Sequence, residues 1–565
     1  MASRTDYNGN LTCYARNSRG LETVRVEGFA SGSTCPSNLA SYTPATGTRQ
    51  RKITTTWHST LRLPMTITLA DGEISFTYDS AGNVLTQKVT DTSAFPNVDR
   101  ESTFTYDTAG RLYTADGPRT DVTDVATYTY YTCTTGSQCG QIQTITNALG
   151  HVTTINTYDA RGQATQVTDA NGLVTTLGYD SRMRLKDRCV GSYLPGCSGG
   201  ELTHFDYWPT GLLKKATDPS GAYIEYTYDA AHRLTQIKDG ALNKIVYTLD
   251  PMGNRIAENA YDPSNALRRT HTRVFNTLNQ LWKDVGAAGT TNVTTTFGYD
   301  ANGNHTTTSA PLSRNSSSLY DELNRVKQIT DPLSGITQFG YDANDNVTSV
   351  TDPRLLATSY TYNGFGDLTS QTSPDTGFTT NTYDSAGNLD TTTDARGAVA
   401  DYGYDVANRV TSVSFTLGGV TDQTITYGYD AGTNQKGQLT SATDANHSLA
   451  WTYNPQGRIT GKGQTVGGVT LAMGYGYNAA GQLQSTVLPS GSTISFGYNT
   501  NGQVTSLALN GSTTILSAIT YDPFGPITSW TWGNGSSANR AFDTDGKFTQ
   551  VDNASGASLK NYSYD

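Results

Sequence analysis

Charged residues are scarce in this chain, and their balance is negative. Only 16% of the 565 residues are Asp, Glu, Lys or Arg, and the net charge is −10. This composition excludes a long helix held by surface ion pairs. Since no basic surface is available to release counterions from phosphates, we expect no nucleic-acid partner.

Long apolar runs are also missing. No segment approaches the ~18 consecutive apolar residues typical of a membrane-spanning helix. Residues 1–6 lack the apolar stretch of a signal peptide. We therefore expect no membrane-spanning segment and no signal peptide within this sequence.

What the chain does contain is typical of β-structure. It has 57 Gly and 35 Tyr against only 5 Met, and 10% of its residues are aromatic. Tyr and Thr favour strands, whereas Gly favours turns. Regularly spaced aromatic residues are the opposite of a disordered composition. The sequence predicts an all-β protein with more than half of its residues in strands and negligible helix.

A Tyr-Asp pair recurs along most of the chain. Five consecutive intervals of about 21 residues separate the copies from Tyr299 to Tyr404, and longer intervals elsewhere indicate loop insertions. These pairs are the candidate structural repeat residues: Tyr158, Asp159, Tyr228, Asp229, Tyr299, Asp300, Tyr320, Asp321, Tyr341, Asp342, Tyr383, Asp384, Tyr404 and Asp405.

Each repeat unit predicts a strand, a tight turn and a second strand. Before Asp229, the residues Tyr226 and Tyr228 alternate with polar residues, as in a strand with one aromatic face. Asp229 can accept a hydrogen bond from the backbone two residues on, and the Gly or Asn that follows in most copies tolerates positive φ. Leu234 and Ile237 lie three apart, so either a bulge interrupts that strand or both of its faces are apolar.

The number of units determines the expected architecture. About 22 units between Tyr78 and Tyr564 correspond to about 44 strands, and sheets beyond ~10 strands curl or close. We therefore predict a spiral β-sheet solenoid that forms a hollow shell or barrel. Residues 1–70 are predicted to be an irregular N-terminal β region that starts the shell, and residues 71–565 to be the repeat shell, truncated at its C-terminal end.

These motifs resemble those of the Rhs/YD-repeat family, which includes bacterial Rhs polymorphic toxins, C components of toxin complexes and the YD shell of teneurins. The resemblance rests on many copies of Tyr-Asp-x-x-Gly-Asn/Arg-Leu, followed by Thr-Asp-x-x-Gly or Thr-Asp-Pro, as at residues 168–172 and 351–353. Residues 521–530 are similar to a late segment of bacterial Rhs shells. The resemblance implies a hollow β-shell of a secreted or cell-surface protein, which encloses a C-terminal toxin or effector or supports cell-surface contacts.

The chain departs from cargo-releasing members of that family. They carry repeated Asp-Pro-x-Gly elements, an acidic self-cleavage site and a variable effector domain, whereas residues 250–253 and 522–525 lie inside ordinary repeats. We expect the chain to be part of a longer protein. Its expected partner is an effector or toxin domain of that same longer chain, missing from this sequence.

The six cysteines fall into three neighbouring pairs. Candidate disulfides join Cys13 with Cys35, Cys133 with Cys139 and Cys189 with Cys197, provided that the compartment is oxidising; free thiols are the alternative for a cytosolic shell. Zinc is not expected, because the sequence has no Cys-x-x-Cys and no paired histidines.

No catalytic group stands out from the repeat. The seven histidines have no ligand spacing, and the acidic residues at 342–346 lack the Gly and distal Glu of a calcium loop. Repeated turn carboxylates supply no singular pair for glycoside hydrolysis. We therefore expect no enzyme activity, no metal and no cofactor.

Two non-catalytic functions remain open from the sequence. The first is a structural, encapsulating shell segment around an effector. The alternative is an extracellular surface or filament module that binds carbohydrate or protein, with glycans or other copies of the shell as partners. Trp530 and Trp532 lie two apart on one strand face and could bind sugar, although such residues more often fill the aromatic column of a repeat.

Overall fold

The chain forms one continuous antiparallel β-sheet. The computed structural model describes residues 2–45, 49–192, 195–286, 294–553 and 558–562. These residues form a single sheet of 48 strands, in which each strand pairs with the next one along the chain. More than half of the described residues are in strands, and the helical elements at Pro195–Cys197 and Pro311–Ser313 are single turns. The predicted all-β class is confirmed.

The strands are numbered in chain order. The first half comprises β1 to β24: Ala2–Thr5, Leu11–Arg16, Glu22–Phe29, Arg51–Trp57, Pro64–Thr68, Gly72–Tyr78, Val84–Asp91, Val98–Tyr106, Leu112–Asp116, Ala126–Tyr130, Ile142–Thr146, Val152–Tyr158, Ala164–Thr168, Val174–Tyr179, Leu185–Val190, Glu201–Tyr207, Leu213–Thr217, Tyr223–Tyr228, Leu234–Asp239, Lys244–Leu249, Arg255–Tyr261, Leu267–Phe275, Leu281–Gly286 and Thr295–Tyr299. The second half comprises β25 to β48: His305–Ala310, Arg314–Tyr320, Val326–Thr330, Ile336–Tyr341, Val347–Thr351, Ala357–Tyr362, Leu368–Ser373, Gly377–Tyr383, Leu389–Thr393, Val399–Tyr404, Val410–Leu417, Val420–Tyr429, Leu439–Thr443, His447–Tyr453, Ile459–Val466, Val469–Tyr477, Leu483–Val487, Thr493–Tyr498, Val504–Leu509, Thr513–Tyr521, Ile527–Trp532, Ser537–Phe542, Phe548–Asn553 and Ser558–Asn561.

A β-bulge follows the Tyr-Asp turn of the repeat. Tyr228 pairs with Leu234 and Tyr226 pairs with Ile237, which leaves Thr235 as an extra residue on its strand. The extra residue returns Leu234 and Ile237 to the same face as the two tyrosines. Of the two alternatives that the sequence leaves open, the structure therefore shows the bulge.

The sheet winds into a spiral of two coils. Hydrogen bonds between separate parts of the sheet join residues that are 257 to 296 positions apart, such as Glu201 with Arg458 and Asp6 with Asn302. In strand numbers this separation is about 24, so β1–β24 form the first coil and β25–β48 the second. At ~4.8 Å per strand, one coil has a circumference of about 115 Å.

The wall of the spiral is one sheet thick. Each strand makes its extensive contacts with its neighbours in the chain, so that no second sheet formed by the described residues covers either face. The accessible surface is 30284 Å² for a mass of 60.6 kDa, whereas a compact protein of that mass exposes about 19,500 Å². The excess surface is what a hollow, single-layered shell requires.

The N-terminal region belongs to the same sheet. Strands β1 to β5 pair in sequence, and β5 pairs with β6 across position 70. A small core of Cys13, Val24, Val26, Phe29 and Leu39 packs beneath the irregular segment that links β3 to β4. The division at residue 70 stays a prediction, because the sheet continues through it.

Candidate functional site

The Asp of each repeat organises the turn that follows. In the Asp300 turn, carboxylate oxygen Oδ1 accepts hydrogen bonds from the backbone N–H groups of Asn302 at 3.0 Å and Asn304 at 2.9 Å. Oδ2 accepts a further bond from the Asn304 side chain at 2.8 Å. Gly303 has a φ of 89°, which a residue with a side chain rarely adopts. In this turn Asp300 holds the backbone, and Gly303 takes the positive φ without strain.

The same turn is built at every predicted repeat Asp. In each case Oδ1 accepts from the backbone N–H groups two and four residues on, at Asp159, Asp229, Asp300, Asp321, Asp342, Asp384 and Asp405. Where the fourth residue is Arg, its Nε donates to Oδ2, as from Arg233 to Asp229 at 2.7 Å. The hydrogen bonds to Arg233 and the charge of its guanidinium lower the pKa of the Asp229 carboxyl.

Six of the seven repeat tyrosines, all except Tyr228, donate a hydrogen bond to the preceding unit. The hydroxyl of Tyr341 donates to the Val326 carbonyl at 2.7 Å, and that of Tyr404 donates to the Leu389 carbonyl at 2.8 Å. Equivalent bonds are made by Tyr158, Tyr299, Tyr320 and Tyr383. Burial raises the pKa of the Tyr404 hydroxyl, which keeps this donor protonated.

The two coils meet along a seam of charged turns. The seam consists of the turns from odd- to even-numbered strands of the first coil and the Tyr-Asp turns of the second coil. Arg49 of the first coil lies 3.4 Å from Asp321, which also binds Arg325 in its own turn. The Asp321 side chain is only 1% exposed. A repeat Asp in the second coil thus closes its own turn and ties down the coil beside it.

Further arginines of the first coil repeat this arrangement. Arg100 donates to Asp367 at 2.6 Å, and its guanidinium lies 3.9 Å from the centre of the Phe365 ring. Arg119 is buried and donates to the Asp405 carbonyl at 2.6 Å. Neither residue could be singled out from the sequence, because neither belongs to the repeat motif: Arg100 lies within β8, and Arg119 lies in the irregular segment between β9 and β10.

In other parts of the seam the second coil supplies the arginine, or an amide donates to a carboxylate. Arg458 of the second coil donates to both carboxylate oxygens of Glu201, at 2.6 and 2.5 Å. This bidentate bond raises the pKa of Arg458. Asn501 donates to Asp239 at 3.1 Å.

An apolar contact completes the seam near its end. Phe524 of the second coil packs against a buried cluster formed by Ile245, Tyr247 and Ala260 of the first coil. Phe524 is the second residue after the turn residue Asp522, the same position that Phe365 has after Asn363. At both turns this position contacts the neighbouring coil.

Each of the three candidate cysteine pairs is joined in the structure. The Cα atoms are 5.7 Å apart for Cys13 and Cys35, 5.0 Å for Cys133 and Cys139, and 5.6 Å for Cys189 and Cys197. The first pair fastens the irregular segment after β3 to strand β2, and the other two each close a loop.

The remaining candidate groups are engaged in structural contacts or isolated. The Asp342 carboxylate accepts bonds from Asn344 and Asn346, and the described ranges contain no cluster of acidic, His or Cys side chains suited to a metal. Trp530 lies beneath the guanidinium of Arg540, whereas Trp532 beside it is exposed. In the part of the chain that is described, no helix is long and apolar enough to cross a membrane.

The single-layered coils, Tyr-Asp turns and seam define a repeat-built β-shell. A model of the RHS repeat matches residues 158–187, 207–244 and 320–354, and a model of the teneurin YD-shell matches residues 360–497. Over these residues the chain is similar to the Rhs/YD-repeat family.

Solved structures of toxin complexes share the fold. The crystal structure of TcdB2-TccC3 matches with a TM-score of 0.77 and 13% identity, over 99% of this chain and 39% of that one. The TcdB2-TccC3-Cdc42 crystal structure matches with a TM-score of 0.74 and 12% identity, over 99% of this chain and 41% of that one. The structure of the Photorhabdus luminescens Tc holotoxin pore with a TccC3 mutation matches with a TM-score of 0.76 and 11% identity, over 98% of this chain and 40% of that one. This chain therefore spans about two fifths of those chains. No curated protein sequence matches it significantly.

Proposed function

We propose that this chain is a non-enzymatic wall segment of a shell that encloses a toxin or effector domain of the same longer polypeptide. The observation that carries the proposal is the seam, which converts a sheet one strand-layer thick into a continuous wall of two coils. The likeness to toxin-complex structures supports a shell of this kind. The wall separates the enclosed domain from the cell that makes it.

The chemistry of the repeat supports a structural function. The seven repeat carboxylates are engaged by the backbone of their own turns, as at Asp159 and Asp384. Their turn hydrogen bonds repeat one pattern, whereas acid–base catalysis requires two groups whose environments contrast. Turnover of glycans, peptidoglycan or nucleic acid by the purified chain, abolished by changing one or two residues, would contradict the proposal.

The paired cysteines fit a secreted or cell-surface location. The structure pairs all six cysteines, and disulfides persist in oxidising compartments. We place the assembled shell outside the cytosol on this ground.

Protection of an attached peptide tests enclosure directly. A fluorescent, protease-sensitive peptide appended after residue 565 is expected to resist proteolysis far longer than the same peptide on an unrelated globular carrier. Changing Arg100 and Arg458 together to Ala weakens the seam and is expected to speed cleavage. A variant with Arg161→Ala, whose side chain lies at an exposed turn away from the seam, is the control. Equal cleavage rates on the shell and on the carrier would rule out enclosure.

Glycan binding is the second candidate function, and the exposed Trp532 favours it. An exposed indole offers a flat apolar face on which a sugar ring can stack, and Trp530 adjoins it with ring centres 5.9 Å apart. The test is a glycan array with Trp532→Ala, and Trp282→Ala serves as the matched control because that residue is exposed without a neighbouring Trp. Binding that only Trp532→Ala abolishes supports this function. Absence of binding by the unmodified chain argues against it.

A further inference from the structure

Two of the three disulfides lie in connections that form the seam. Cys189 and Cys197 close the loop from β15 to β16, and Cys35 lies in the irregular segment from β3 to β4. Both connections run from an odd- to an even-numbered strand of the first coil, and such connections meet the second coil. Cys133 and Cys139 close the loop from β10 to β11, which runs from an even- to an odd-numbered strand. Two disulfides are thus at the seam and one is away from it.

The Cys189–Cys197 disulfide packs directly against the residue that precedes Glu201. A Cβ atom on Gly200 would lie 2.9 Å from each of the two sulfur atoms, which is too close for any side chain. The backbone N–H of Gly200 also donates to the Cys197 carbonyl at 3.0 Å. Since Glu201 is the next residue and the first of β16, the disulfide holds the backbone from which the Glu201 side chain projects.

The disulfide-closed loop touches one turn of the second coil at both of its ends. At one end, Arg458 donates to both carboxylate oxygens of Glu201, at 2.6 and 2.5 Å. At the other end, Gly191 lies against Gln456, whose Nε2 is 3.1 Å from the place of a Cβ on the glycine. A bidentate ion pair requires both groups to be oriented, so the Glu201 contact depends on the backbone of this loop.

The Cys13–Cys35 disulfide supports a second seam contact, but it does so together with a packed core. It joins β2 to the segment that contains Arg49, which lies 3.4 Å from Asp321 of the second coil. Leu39 of this segment is buried in the same core as Cys13. The contact of Arg49 therefore depends less on its disulfide.

The Cys133–Cys139 loop makes its hydrogen bonds within the first coil. Ser137 donates to the Tyr158 carbonyl at 3.1 Å, and Arg111 donates to the Gly140 carbonyl at 3.1 Å. The chain thus contains a matched control for a disulfide that acts on the seam.

We propose that the Cys189–Cys197 disulfide is a redox latch of the seam, which keeps Glu201 on Arg458 while it is oxidised and releases this contact when it is reduced. Cys197 lies between two exposed residues, where a dithiol reductant can reach its sulfur. The first thiolate of the reductant attacks that sulfur and displaces the Cys189 thiolate; the second displaces the Cys197 thiolate and closes the disulfide of the reductant. Two electrons and two protons pass to the protein, and the freed loop gains conformations in which Glu201 leaves the guanidinium.

The latch connects the state of the wall to the redox state of its surroundings. Disulfides persist outside the cytosol and are reduced within it, so the seam is closed in the first environment and loosened in the second. Release of an enclosed domain in a reducing compartment rests on the proposed function, whereas the response of the seam itself does not.

Modification by phenylglyoxal, which reacts with free guanidinium groups, measures the contact in the intact chain. Arg458 is expected to react slowly while Glu201 holds it, and Glu201→Ala gives the rate of the unpaired side chain. After reduction with dithiothreitol and alkylation of the thiols, the rate at Arg458 is expected to rise several-fold, towards that of Glu201→Ala. Arg100, which pairs with Asp367 in another part of the seam, is the reference arginine, and its rate should stay the same. Peptide mass spectrometry gives both rates.

Two pairs of substitutions separate the latch from the control disulfide. Cys189→Ser with Cys197→Ser is expected to reproduce the effect of reduction, and Cys133→Ser with Cys139→Ser is expected to leave the rate at Arg458 unchanged. An unchanged rate at Arg458 after reduction would overturn the proposal. So would an equal rise at the reference arginine, because it would show general unfolding, which circular dichroism also detects.

The protected-peptide assay distinguishes failure of the latch from failure of the proposed function. The peptide appended after residue 565 is expected to be cleaved faster on the reduced and alkylated chain than on the oxidised chain. A response at Arg458 without protection of the peptide on the oxidised chain would refute enclosure and support the latch. Equal protection before and after reduction, with no response at Arg458, would refute the latch and support enclosure.

Discussion

Arg49 contacts Asp321 at 3.4 Å although 272 residues separate them in the sequence. Asp321 belongs to the repeat, whereas Arg49 lies in an irregular segment of the first coil. The contact shows how the shell is assembled: a local motif makes each turn, and residues outside the motif fasten one coil to the next.

Replacing Asp321 is expected to destabilise the fold more than replacing an equivalent Asp outside the seam. Breaking a buried ion pair costs about 3–5 kcal/mol, since a charge is left without its partner. The matched control is Asp229→Ala, because Asp229 makes the same turn bonds and pairs with Arg233 at a turn outside the seam. Urea denaturation of Asp321→Ala and Asp229→Ala measures the difference. Equal losses would show that the seam contact contributes nothing beyond the turn.

The Tyr341 hydroxyl and ring are expected to contribute separately. Tyr341→Phe removes the bond to the Val326 carbonyl and should cost about 1 kcal/mol. Tyr341→Ala also removes the ring and should cost about 3–5 kcal/mol. Thermal unfolding measures both changes, with Tyr113→Phe as the control at an exposed position. If Tyr341→Ala is no worse than Tyr341→Phe, the ring is not packed as the structure shows.

Acid is expected to destabilise the shell through its turn carboxylates. The hydrogen bond from Arg184 lowers the pKa of Asp180 from 3.8 to about 2, and the backbone N–H of Asn446 is the main cause of a similar fall at Asp444. Because these pKa values are lower in the folded state, the stabilisation is complete above pH 3.8 and is lost as the pH falls towards 2.

The melting temperature measured between pH 7 and 2 checks this expectation. It should change little down to about pH 4 and then fall steeply as the carboxylates become protonated. Asp180→Asn should slightly reduce the fall in melting temperature below pH 4. The turn should still form, because Asn occupies the same turn position at Asn363 and Asn499. A melting temperature that stays constant down to pH 2 would contradict the role given to the carboxylates.

The Cys13–Cys35 disulfide is expected to stabilise the shell more than the Cys133–Cys139 disulfide. Their sequence separations are 22 and 6 residues. For loops of these lengths, loop-closure entropy in the unfolded chain predicts stabilisation of about 3 and about 2 kcal/mol. Mass spectrometry of the non-reduced protein checks the pairing, and thermal unfolding of Cys13→Ser/Cys35→Ser against Cys133→Ser/Cys139→Ser checks the order. Six free thiols after exposure to air would contradict the pairing.

The sequence is informative about everything that the repeat encodes locally. Alternation before Asp229 and the Gly or Asn that follows the turn Asp in most copies predict the strand and turn that the structure contains, and the large number of copies predicts a curled sheet. The Leu234 and Ile237 spacing indicates an irregularity but not its type, since a bulge and a strand that is apolar on both faces give the same pattern.

The seam could not be predicted in this way. Whether Arg100 meets Asp367 depends on how many strands complete a coil, and that number follows from small twists summed over about 24 strands. A slightly different twist at each pair would bring Arg100 beside another turn. The seam contact of Arg119 could not be inferred from the sequence either, because a buried arginine in an irregular loop carries no periodic signal.

The circumference of the coil limits the size of any guest molecule. A circular coil with a circumference of about 115 Å has a diameter of about 37 Å. Inward-facing side chains occupy about 5 Å on each side, which leaves a bore of about 27 Å. A folded domain of 100 residues has a radius of gyration of about 13 Å, hence a width of about 34 Å. It is too wide for the bore, whereas a helix 10–12 Å across passes easily. A polypeptide held within these two coils would therefore lie there as extended chain or isolated helices, and would acquire its tertiary structure only after leaving.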